Sequence, residues 1–110
     1  VVRKVPIAED VVRYAVRLAA ASRPSADNPL GFINEWVTWG AGLRASQYMV
    51  LGAKARALLY GRAHVNFDDI RALSYPVLRH RILINYRAEA EGVAVDHLVD
   101  RLLKSVKDSK

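Results

Sequence analysis

Apolar residues recur at three- and four-residue intervals along most of the chain, and clusters of proline, glycine and small polar residues cut that pattern into four helical segments. The first follows Pro6 and runs from about Glu9 to Ser22, with Val11, Tyr14, Ala15, Leu18 and Ala19 on one stripe. Glu9, Arg13 and Arg17 stand four apart on the outer face, in the favourable acid-before-base order. "SRPSADNP", residues 22 to 29, is the clearest loop in the sequence. Residues 32 to 39, "FINEWVTW", are short and aromatic, and fit a brief strand as well as a helical turn.

The break at Gly40-Ala41-Gly42 opens a second long helix, Ala45 to Tyr60. Its apolar residues Met49, Leu51, Ala53, Ala55, Leu58 and Leu59 spread around much of its surface, which predicts a central, largely buried helix that Gly61 ends. A third helix begins at "NFDDI", where Asn66 is an N-cap and Asp69, three residues on, completes a capping-box pattern. Its stripe is Ile70, Leu73, Val77 and Leu78, and Pro76 predicts a break or kink near Tyr75, with the proline starting a new turn. "ILINY", residues 82 to 86, is β-branched and reads as extended. The last helix runs from about Val95 to Val106 on Leu98, Val99, Leu102, Leu103 and Val106, with Asp96 near its start and Lys104 and Lys107 near its end complementing the dipole. These elements predict an all-α fold, a small bundle of four to five helices with room for one short extended segment, spanning residues 1–110 as a single domain.

Length and composition narrow what such a bundle can do. At 110 residues the chain supports one modest core and falls short of a typical catalytic domain with its own nucleotide site. It opens on Val1 rather than methionine and reads as a piece of something longer. Cysteine is absent, which rules out a disulfide framework and thiolate zinc within this chain and fits a reducing compartment such as the cytoplasm. No apolar run reaches the roughly 18 residues that suggest a membrane span. Seventeen Lys and Arg against eleven Asp and Glu give a net charge of +6, but bases and acids interleave along every segment instead of gathering on one helix or tail.

Catalytic constellations are mostly missing. There is no G-x-x-x-x-G-K-[ST] loop to cradle phosphates, so the fragment by itself is not expected to be an enzyme. His64, His80 and His97 lack an i, i+4 partner or a Glu-x-x-His arrangement, so no metal site is expected, and Glu89 and Glu91 read as solvated acids. Arg44 is the exception. It falls at the start of the second long helix, beside free backbone N–H groups and the positive end of the macrodipole, where a cation is misplaced without an anion. Two readings stand at this point: an ordinary surface arginine paired with Glu35 or another acid, or a planar, permanently charged fork that joins the helix start to contact a phosphate, with Gly40 and Gly42 shaping the turn. Trp36 and Trp39 are read as packing that fixes this turn rather than as adenine stackers.

The segment "WGAGLRASQYMVLGAKARALLYGRAHVNFDDIRALSYPVLRHRI", residues 39 to 82, resembles the C-terminal helical lid of MoxR-type AAA+ ATPases, and "VPIAEDVVRYAVRLAAASRP" and "AEAEGVAVDHLVDRLL" extend the resemblance over nearly the whole chain. The glycine-and-arginine turn, Y-G-R after the long helix, "DDIRAL" and "PVLRHRI" come in the family's order. The resemblance implies a preceding α/β core that holds ATP and magnesium, with the lid supplying the second-sensor arginine, here Arg44, to the terminal phosphates. It also implies assembly into a ring, usually a hexamer, a chaperone-like action on client proteins, and partners that carry von Willebrand factor A domains. The fragment alone is expected to hold no cofactor. Gly42 and Leu43 replace the family's common serine and proline before the arginine, Ala94 stands where a hydroxyl cap is usual, and His97 where an acid is common. The competing reading is a small basic helical module that binds nucleic acid, with Arg79, Arg81 and Arg87 on phosphates.

Overall fold

The computed structural model describes residues 6–106. The first helix, α1 (Glu9–Ala21), buries Val11, Tyr14, Ala15, Leu18 and Ala19, the stripe read from the sequence. Acids in its first turn suit the macrodipole, and Arg13 pairs with Glu9 at 2.6 Å along the outer face. Ser22 follows it, fully buried, and its hydroxyl donates to Ala19 O at 2.7 Å while accepting Ala41 N–H at 2.9 Å. One side chain thus ties the end of α1 to the turn before the long helix.

The loop that follows is held from within: Asn28 donates to the carbonyls of Ala21 and Arg23 and accepts Leu30 N–H. Residues 31 to 39, ambiguous by pattern, take both forms in succession, a short helix α2 (Gly31–Trp36) and a strand β1 (Val37–Trp39). The extended reading of residues 82 to 86 is borne out in part by β2 (Leu83–Ile84), which pairs antiparallel to β1, Val37 opposite Ile84 and Trp39 opposite Leu83, with an irregularity between. Asn85 closes this hairpin-like junction by donating from its backbone to Trp36 O and from its side chain to Glu35 O. Its Oδ1 also caps a second short helix, α5 (Tyr86–Ala90), a helix the sequence pattern did not indicate.

The long helix α3 (Leu43–Leu59) packs between α1 and α4 (Phe67–Arg79). It ends in a Schellman turn: Gly61 at φ 70° places Arg62 N–H on Ala57 O and its own N–H on Leu58 O. Among the described residues, α6 (Val95–Ser105) closes the bundle through Leu98, Val99 and Leu102. The all-α class therefore holds, with six helices among the described residues in place of four or five because two are short.

Two expectations change. The chain does not break at Pro76, which lies inside a continuous α4. Pro76 is exposed, so the hydrogen bond it forfeits lies on the wet side of the helix, while buried Ile70, Ser74 and Leu78 hold both halves to the core and Ser74 bonds Ile70 O. Nor is α3 largely buried: Ala45, Met49, Ala53 and Ala57 face inward, but Leu51, Leu58 and Leu59 are 37%, 45% and 85% exposed. Val1 to Val5 and Lys107 lie outside the described residues.

Candidate functional site

The turn that begins α3 is built by close approach on one side and openness on the other. A Cβ on Gly40 would fall 2.3 Å from Ser22 O, so the absence of a side chain lets this strand of backbone lie against the end of α1. Gly42 is the N-cap, extended at φ −86° and ψ −176°, with nothing within 4 Å of where a Cβ would be. It gives no side-chain cap, and its carbonyl accepts Ala45 N–H at 3.0 Å. Leu43 and Arg44 are the first two helical residues, no acid stands in this turn, and both are exposed.

Arg44 makes no hydrogen bond or ion pair among the described residues. The neighbour considered as its mate, Glu35, is taken at 2.9 Å by Arg87, which also binds Glu91 at 3.0 Å. Most other arginines are engaged: Arg13 with Glu9, Arg71 with Asp68, Arg79 with Asp96 through two bonds, and Arg56 and Arg62 with Asp69. The sequence-predicted site thus places a bare guanidinium beside the unsatisfied N–H groups of a 17-residue helix. Such an arrangement can receive an anion from outside the chain.

The tryptophans separate. Trp36 is half-buried, tilted on Phe32 with ring centroids 6.3 Å apart, covered by Arg101 and bonded through Nε1 to Glu91 at 3.3 Å. It packs as read. Trp39 does not: it is 68% exposed on the ladder, across from Leu83, itself 56% exposed. A two-stranded ladder is too small to bury side chains on both of its faces.

The competing set, Arg79, Arg81 and Arg87, is not a free basic face. Two of the three are tied in ion pairs, and Arg81 lies 4.6 Å over the Tyr48 ring. Glu89 and Glu91 do not form a pair, since Glu91 binds Arg87 and Trp36. His64, His80 and His97 are all exposed, and among the described residues no three His, Asp or Glu side chains gather into a metal site.

Sequence reasoning missed the Asp69 node. Asp69 is fully buried and takes Asn66 N–H on Oδ2 and Arg56 and Arg62 on Oδ1. Burial pushes its pKa up, but the Asn66 N–H and the two guanidinium groups outweigh that and hold it below its ordinary value near 3.8. The signal was present in Y-G-R followed by "DDI", where one acid of the pair is a cap and the next arginines upstream end a helix.

The AAA lid domain family model matches residues 33–102, and the chain belongs to that family. Within it the chain is a lid of the MoxR type. It is 32% identical over 96 residues to chaperone MoxR1 of Mycobacterium tuberculosis, covering 87% of this chain and 26% of that protein. It is 34% identical over 71 residues to the uncharacterised protein YeaC of Bacillus subtilis, covering 64% of this chain and 22% of that one. A solved structure from Cytophaga hutchinsonii, provisionally named an ATPase, superposes with a TM-score of 0.91 at 34% identity over 99% of this chain and 33% of its own. The chain spans about a quarter of the length of the curated relatives it matches.

Proposed function

We propose that this domain is the nucleotide-sensing lid of an ATP-hydrolysing ring protein, and that Arg44 is its second-sensor residue. The parent chain's preceding α/β core holds ATP with magnesium, and Arg44 reaches the terminal phosphates from the lid, with Gly42 and Gly40 setting the turn. In the transition state for phosphoryl transfer, charge builds on the transferred group, and a preorganised guanidinium aimed at it lowers the barrier. Loss of the γ-phosphate removes the anion that offsets the cation at the helix start. The lid then has less reason to stay closed, and hydrolysis becomes rotation. That motion drives chaperone-like remodelling of client proteins, including partners with von Willebrand factor A domains, by rings of the size usual for such machines, hexamers, in the cytoplasm.

One observation carries this reading: Arg44 is exposed at the positive end of α3 and has no partner among the described residues, while nearly every neighbouring arginine has one. The family and the similarity to chaperone MoxR1 support it. Among the described residues no helix is long and apolar enough to cross a membrane. The test is ATP turnover by the full-length parent with Arg44→Ala. We expect a fall of roughly one to three orders of magnitude, on the scale set by lost transition-state cations and donors. Wild-type turnover overturns the assignment.

A further inference from the structure

The Ser22 hydroxyl is not needed to finish α1. The backbone N–H of Ser22 already bonds the carbonyls of Leu18 and Ala19, at 3.2 and 3.3 Å, so the helix end is satisfied without the side chain. A fully buried hydroxyl in such a place costs free energy unless its hydrogen-bonding capacity is used. It is used twice: the hydroxyl donates to Ala19 O at 2.7 Å and accepts Ala41 N–H at 2.9 Å, a contact across 19 residues of chain. Donation to Ala19 O fixes the hydroxyl proton and turns a lone pair toward Ala41.

We infer that Ser22 is a positioning residue for Arg44: its hydroxyl sets where α3 starts, and with it the direction from which the guanidinium meets the phosphates. The inference rests on the sensor reading above and adds the group that aims the sensor. Arg44 is exposed and unpaired among the described residues, so its aim comes from the backbone that carries it. That backbone is loose by composition. Ala41 is fully buried but stands between Gly40 and Gly42, whose missing side chains leave the chain its widest conformational freedom. Gly42 has no side-chain cap, and nothing lies within 4 Å of where its Cβ would be. The Ser22 bond holds this turn at Ala41, and the buried Ala45 seats the first turn of α3 in the core, its N–H on Gly42 O at 3.0 Å. Arg44 lies between the two holds. Without the Ser22 acceptor, Ala41 N–H becomes a buried donor lacking its partner, and the turn shifts to find another. A cation stabilises developing charge only where it is preorganised, and a shift of about 1 Å in such a group can cost up to about a hundredfold in rate.

The experiment compares four full-length parents at saturating ATP and magnesium: wild type, Ser22→Ala, Arg44→Ala and the double variant. We expect Ser22→Ala alone to lower kcat by roughly three- to thirtyfold, and to change it by less than about twofold once Arg44 is alanine, because a group that acts through the arginine has nothing left to aim. Amide hydrogen exchange, read by peptide mass, should quicken at least about threefold over residues 40–46 in Ser22→Ala and stay as in wild type over α4 and α6. A wild-type kcat in Ser22→Ala overturns the inference. So does a loss that repeats in full without Arg44, or exchange that quickens across the whole lid, since either makes Ser22 a support of the fold alone. Turnover of Arg44→Ala by itself decides the sensor reading: a loss there beside an unaffected Ser22→Ala removes only the positioning role, whereas wild-type turnover there removes the sensor.

Discussion

Arg56, on the last turn of α3, donates a 2.7 Å hydrogen bond into the fully buried carboxylate of Asp69, in the first turn of α4. The same carboxylate caps its own helix through Asn66 and receives Arg62 from the turn that joins the two. One acid thereby fixes the end of the helix that begins with Arg44 to the start of the helix packed against it. Removing it leaves two arginines and a cap without their partner. Because each arginine keeps about a third of its side chain in water, 33% and 32%, part of that loss is recovered by hydration. Asp69→Ala is expected to cost about 2 to 4 kcal/mol, toward the lower side of values for broken buried pairs. Urea unfolding of the 110-residue chain checks it, and a loss under about 0.5 kcal/mol, the level of an ordinary surface change, contradicts it.

Acid should reach the same node. The Asp69 pKa is lowered in the fold relative to an ordinary value near 3.8, so the folded protein gives up this proton more readily than the unfolded chain. Stability from this group is then fully present above the unfolded value and is lost as pH falls through the folded one. The measurable outcome is an acid limb of stability below about pH 4 that flattens in Asp69→Asn. An unchanged slope between the two proteins argues against the node.

The turn before α3 makes a contrast between two nearby glycines. Gly40→Ala would set a Cβ 2.3 Å from the Ser22 carbonyl, a backbone atom that cannot step aside, so α1 and the turn must separate. We expect a loss of about 1 to 3 kcal/mol, the usual cost of overpacking. Gly42→Ser has open space and adds the missing cap, so it should be neutral or gain a few tenths of a kcal/mol. Thermal melting of both variants reads the difference. Equal melting temperatures show that the approach at Gly40 is not tight.

The stripes of α1, α4 and α6 were legible because each alternates one buried face with one wet face, and the capping box at Asn66 was legible because its chemistry is local. A break at Pro76 was expected because local sterics were weighed without the buried anchors on either side, Ser74 and Leu78. Trp39 and the leucines of α3 were assigned to the interior because they are large and apolar, and sequence pattern cannot tell a face covered within the chain from one left for something outside it. Asn85 joining α2, β2 and α5 went unseen because it links residues 35 and 85, a pairing that only the tertiary fold creates. Of the site, Arg44 and its place at a helix start were readable; that Glu35 is claimed by Arg87 was not, since it depends on a contact across 52 residues.

Pro76 supplies a test of how that helix persists. A mid-helix proline costs about 3 kcal/mol relative to alanine in an exposed setting, from the lost hydrogen bond and the clash with the preceding turn. Its rigidity in the unfolded chain returns up to about 1 kcal/mol. Pro76→Ala should therefore raise stability by about 1 to 2 kcal/mol, seen as a higher urea midpoint with an unchanged slope. A lower midpoint shows that the proline ring packs in a way its exposure conceals.

The last prediction sets stability against function at one atom group. Arg44 places a positive charge where the helix is already positive, an arrangement that costs roughly 0.3 to 1 kcal/mol at an exposed helix start. No acid in the first turn offsets it. Arg44→Glu reverses the sign of that interaction, so the 110-residue chain should become more stable by about 0.5 to 1.5 kcal/mol, and less so in high salt as the charge is screened. In the full-length parent the same change puts a carboxylate against the phosphates and should abolish turnover. A site kept at a cost to the fold is what a phosphate sensor requires. A chain made less stable by Arg44→Glu has an acid already answering this arginine, and then the guanidinium is not waiting for a nucleotide.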